Sequence, residues 1–160
     1  MRKLQLFINR IINMDYFLRN LKWLINAFAL EPKLLHTLLP PNSYIPNEMI
    51  DQYEMIVDKD LSNIIPVLTA EQLENFKPFS DYVYSILIRE DLEDSWYDND
   101  FIYNPEWNVI HTMAKDFEQY MGWQISGPLP PLYSEIIYVD SEDESFKNKI
   151  SQAVFFVCPD

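Results

Sequence analysis

The sequence predicts an α+β fold that is predominantly helical: a helical core followed by a small C-terminal sheet of short strands. Three observations predict it. Apolar residues recur at helical spacing over most of the chain up to Met121, and Pro, Asn, Thr and Gly stand where helices start and stop. After Gly127-Pro128-Leu129-Pro130-Pro131 the pattern changes to short β-branched and aromatic runs. With 160 residues, 48% hydrophobic, 15% aromatic and only 2 Gly, the chain is suited to one domain spanning 1–160.

The first element carries Leu4, Phe7, Ile8, Ile11, Ile12, Phe17, Leu18, Leu21, Leu24, Ile25 and Phe28 at helical spacing. One long helix, or two joined ones, is expected to end before Glu31-Pro32. Arg10, Asp15, Arg19 and Lys22 interrupt its apolar face, so neither a secretion signal nor a membrane span is expected. Such a basic amphipathic stretch suits a membrane surface or the domain's own core, and the acidity of the remainder favours the core.

Pro32 suits a first turn, and Leu34, Leu35, Leu38 and Leu39 form a short apolar helix stopped by Pro40-Pro41. A loop follows, and Asn47 is read as the cap of a helix that buries Met49, Ile50, Tyr53, Ile56 and Val57. Thr69 with Gln72 matches a capping box that opens another short helix. Pro78 is read as the start of a further one carrying Phe79, Tyr82, Val83, Ile86 and Leu87, with a strand over 82–88 as the alternative.

The clearest helix is 105–121. Asn104 caps it, Pro105 opens it, and Gly122 stops it. Its apolar stripe is Trp107, Ile110, Met113, Ala114, Phe117, Tyr120 and Met121. Beyond it, 136–139 and 153–157 read as strands, joined by a charged turn or short helix over 141–151.

Charge narrows the function. Residues 1–30 hold five bases against one acid, a net of +4, and the rest hold seven against 24, a net of −17. That field repels nucleic-acid phosphate and anionic membrane while steering basic partners inward. Neither a nucleic-acid nor a membrane partner is therefore expected. The single cysteine, Cys158, forms no intramolecular disulfide, so a reducing cytoplasm is expected, with this thiol used for packing.

No catalytic site, metal or cofactor is expected. His36 and His111 stand far apart, without the spacing of a zinc motif, and both read as structural or surface histidines. Gly122 and Gly127 cannot build a phosphate-cradling loop. Acids alternate at Asp94, Asp98 and Asp100, and again at Asp140, Glu142 and Glu144. In the calcium-loop register both clusters lack the Gly at position six and the Glu at position twelve.

The candidate binding segment is 90–103, read as a loop between two helices. Six carboxylates (Glu90, Asp91, Glu93, Asp94, Asp98 and Asp100) are interleaved with Trp96, Tyr97, Phe101 and Tyr103. Aromatics anchor interfaces, and surrounding charges set on-rate and partner choice. The plain alternative is that the aromatics reach into the core and the acids only solvate the surface. The expected function is a protein-binding inhibitor. It would be a bacterial immunity or antitoxin protein that covers the active-site cleft of a basic toxin or nuclease domain. A DNA mimic acting on nucleic-acid-binding proteins, or an enzyme with an unrecognised site, is the alternative. Clumped rather than evenly spread acids argue against the mimic.

Overall fold

The computed structural model describes the backbone over residues 2–138 and 150–156, and side chains over 2–5 and 14–131. Four α-helices carry the fold: α1 (Arg2–Phe28), α2 (Ile45–Val57), α3 (Ala70–Leu87) and α4 (Pro105–Met121). Three 3₁₀ helices connect them, at Pro32–Thr37, Glu90–Tyr97 and Asn99–Tyr103.

α1 is one continuous helix, and burial along its described side chains begins at Asn20. From there Leu21, Leu24, Ile25 and Phe28 face α2 and α4, as their spacing requires. Arg2 to Gln5 are exposed, so the inward-packing expectation holds for the C-terminal part of the helix among the described side chains. Among the described residues no helix is long and apolar enough to cross a membrane.

The leucine-rich stretch after Pro32 is a 3₁₀ helix, with Leu35 buried. α2 begins two residues before the expected cap: Tyr44 occupies the cap position and Pro46 the first turn, while Asn47 donates to Asp51 Oδ2 at 3.2 Å. Thr69 and Gln72 do form the capping box, with bonds of 3.1 and 2.9 Å. The helix they open does not stop at Pro78. It runs through as α3, which corrects the expected division into two helices and excludes the strand alternative over 82–88. Pro78 lies on the exposed side, where water can satisfy the carbonyl its ring leaves unbonded. The opposite face buries Phe76, Phe79, Val83 and Ile86.

α4 matches its sequence reading closely. Asn104 Oδ1 accepts from Glu106 N at 2.9 Å, Pro105 opens the helix, and Gly122 closes it in the left-handed conformation at φ 67°. Trp107, Ile110, Ala114 and Phe117 are buried, whereas Tyr120 of the expected stripe is exposed.

The core is held by a chain of touching rings. Phe117 meets Phe76 at 5.3 Å, Phe76 meets Phe79 at 5.6 Å, and Phe79 meets Phe28 at 5.7 Å. Phe28 meets Trp107 at 5.6 Å, and Trp107 meets Phe101 at 6.1 Å. Phe101 meets Trp96 at 5.1 Å, edge to face. Such pairs contribute about 0.5–1.5 kcal/mol each beyond their burial.

The expected α+β class is corrected. Among the residues whose side chains are described, the protein is helical, with seven helices and no strand. The helices and their connections close this core among themselves. The backbone of β1 (Leu132–Tyr138) runs antiparallel to β2 (Ile150–Phe156), but a two-stranded ribbon is only marginally stable alone and is not a sheet on which helices pack. β-branched composition signals extended backbone; it does not say that a sheet shares the core. Val139, the acidic cluster from Asp140 to Glu144, Val157 and Cys158 lie outside the described residues.

Candidate functional site

The acidic segment is not a loop. It forms two consecutive 3₁₀ helices, Glu90–Tyr97 and Asn99–Tyr103, seated between α3 and α4 and packed on α2. Its length without Gly or Pro fits this outcome, because nothing in it breaks a helical backbone.

The segment divides its ten candidate residues into two groups. Trp96 and Phe101 are buried and belong to the ring chain, with Leu92 and Ile102 beside them. They are core anchors, which corrects their expected place at the partner surface. Glu90, Asp91, Glu93, Asp94, Tyr97, Asp98, Asp100 and Tyr103 are exposed. Tyr97 is 58% and Tyr103 62% exposed, high values for such large rings.

Three polar contacts fix the frame. Arg89 reaches Asp91 Oδ2 at 2.7 Å and Glu106 Oε1 at 2.6 Å, joining the start of the segment to the first turn of α4. Tyr82 on α3 donates its hydroxyl to the other oxygen of Glu106. Asp98 Oδ1 accepts from Asp100 N at 2.9 Å and so caps the second 3₁₀ turn.

Asn99 makes the contact that sequence spacing gives no sign of. Its Oδ1 accepts from Ile45 N at 2.7 Å, and its Nδ2 donates to Ser43 O at 3.2 Å. The two bonds straddle Tyr44 and hold that residue's ring edge to face with Tyr97 at 5.7 Å. Tyr44 is itself 54% exposed. An exposed aromatic pair, assembled from two distant parts of the chain, thus stands among the carboxylates. Tyr44, Arg89 and Asn99 were absent from the sequence-based candidates. Their only signal is pairing across 17 to 56 positions, which no local pattern encodes.

No family model, curated protein or solved structure matches the chain.

Electrostatics separate the segment's acids into two kinds. Arg89 holds the Asp91 carboxyl below its ordinary value, and the hydrogen bond from Tyr82 followed by that from Arg89 does the same for Glu106. Both are committed to internal structure. Glu90, Glu93, Asp94 and Asp100 instead present carboxylates to solvent, with Asp98 turned to its capping role. Among the described residues no group of three or more His, Cys, Asp or Glu is placed to hold a metal ion. His111 Nδ1 faces Phe28 O at 3.0 Å, a contact that joins α4 to α1, and His36 is exposed.

Proposed function

We propose that the protein acts by binding, and that its partner is a basic protein, a toxin or nuclease domain whose active-site cleft it covers. On this reading it is a bacterial immunity or antitoxin protein working in a reducing cytoplasm, with no catalysis of its own. The observation that carries the reading is the group of exposed rings, Tyr44, Tyr97 and Tyr103, set among the exposed carboxylates of one rigid segment. Rings of low conformational entropy supply contact area, and the acids supply steering and selectivity. A surface meant only for solubility has no use for large exposed rings.

The test is capture from the source cell at low salt, followed by elution in salt steps, with three forms of the full chain. Wild type should retain one dominant basic protein into high salt. Tyr97→Ala/Tyr103→Ala should lose it, since interface aromatics of this kind cost about 2 kcal/mol or more each. Asp94→Asn/Asp98→Asn/Asp100→Asn should release it at lower salt. Asn at position 98 preserves the cap, so the fold is not in question. Equal retention by all three forms would sink the assignment to this surface. A spread of nucleic-acid-binding proteins leaving at modest salt would point instead to ion exchange or DNA mimicry.

A further inference from the structure

A second surface has the opposite charge. Arg19, Lys22, Trp23 and Asn26 are spaced by three and four residues, so they share one face of α1. Facing them is the segment from Gln124 to Pro130, which leaves the end of α4 and returns to α1. The segment is pinned at both ends. Trp123 N donates to Glu118 O at 2.9 Å, and the Trp123 ring stands edge-on to Phe117 at 5.7 Å. At the other end Trp23 Nε1 donates to Pro130 O at 2.7 Å. With its amide turned to satisfy its neighbours, buried Asn26 donates to Trp123 O at 3.1 Å and Glu118 Oε2 at 2.7 Å, closing the floor.

Between these pins the backbone stands off the helix and leaves a cleft of 640 Å³. That volume lies in the range of small-molecule sites. The cleft walls are apolar where Trp23, Ile125 and Leu129 contribute, and the two charged side chains lining it are both cations. Arg19 also pairs with Asp15 at 2.9 Å. On a chain of net −13, acids already serve solubility, so two cations at one cleft call for a local reason. At physiological ionic strength charges act over about 8 Å, so this pair governs the cleft in spite of the acidic remainder.

We propose that this cleft binds a small organic anion with an apolar body, of the class of medium-chain carboxylates. The head group would lie between the Arg19 guanidinium and the Lys22 ammonium, and the body would run along Trp23 and Leu129. The proposal is independent of the basic-partner reading, which concerns another surface.

The experiment uses the full chain and 8-anilinonaphthalene-1-sulfonate, an anionic aromatic probe whose fluorescence rises in apolar sites. Decanoate and decanol then compete for it. The probe should bind saturably, and decanoate should displace it at concentrations at least about tenfold below those needed for decanol. Arg19→Gln/Lys22→Gln should abolish that preference and leave displacement by decanol unchanged. Both residues are exposed, so the fold should survive, with far-ultraviolet circular dichroism as the check. Ile125→Asp, which sets a carboxylate at the exposed mouth, should weaken decanoate but not decanol. The proposal is overturned if the probe does not saturate, if decanol competes as well as decanoate, or if the preference survives in the double variant.

Discussion

Arg89 stands between two carboxylates that belong to different elements, Asp91 in the first 3₁₀ turn and Glu106 at the start of α4. Exposed ion pairs of this kind are individually weak, but here one side chain orients both neighbours and Tyr82 completes the set. The pH consequence has a definite sign. Glu106 and Asp91 are both held below their ordinary values, so each contributes stability above its unfolded pKa and loses it as pH falls through the folded one. Arg89→Gln should therefore lower stability near neutrality and move the acid-unfolding midpoint to higher pH, read by circular dichroism in an acid titration. An unchanged midpoint would mean that the pairs are spectators. On the alkaline side burial, and then Glu106, pushes the Tyr82 hydroxyl up to about 12. Its contribution persists below the ordinary tyrosine value and is lost as pH rises toward that figure. None of this was legible in the sequence, where Arg89 and Glu106 are 17 positions apart and nothing marks them as partners.

At the scale of elements, legibility followed the caps. α4 could be read from Asn104 to Gly122 because a cap, an N-terminal proline and a left-handed stop all agree with its apolar stripe. α3 was harder, since Thr69 announced its start and Pro78 announced a false break. Burial of Phe76 and Phe79 on either side of Pro78 outweighs the lost backbone bond, which is a tertiary effect that propensity cannot express. Pro78→Ala should restore that bond. The gain of about 3 kcal/mol from helix propensity is offset by about 1 kcal/mol of added unfolded-state entropy, leaving about 2 kcal/mol. Urea unfolding should show a higher midpoint at unchanged slope, and a fall in stability would mean that the ring itself packs usefully. The acidic segment was misjudged for a related reason. Its charges suggested a loop, yet Leu92 and Trp96 are four apart and both buried, a helical signature masked by the surrounding carboxylates. Which of Trp96, Tyr97, Phe101 and Tyr103 turn inward depends on that backbone, so composition alone could not sort them.

For the whole molecule the question is whether the acidity is used or merely tolerated. Seven bases against 24 acids beyond residue 30 make the folded chain repel itself, a destabilising contribution that added salt screens. Raising ionic strength from about 0.05 M to about 0.5 M shortens the screening length from about 14 Å to about 4 Å. Thermal stability should therefore rise with salt, while attraction to a basic partner should fall steeply through its on-rate. Asp94→Asn/Asp98→Asn/Asp100→Asn removes three of the exposed acids and should act in the same two directions at low salt. It should leave the protein equally or slightly more stable and weaken capture of the partner. The pairing of the two responses is what discriminates. A solubilising surface predicts that stability rises and that binding at this face is indifferent to the variant. A surface selected for a partner predicts that the most repulsive part of the fold is also the part whose neutralisation costs binding. Thermal unfolding and partner dissociation, measured on the same samples across the salt series, decide between them.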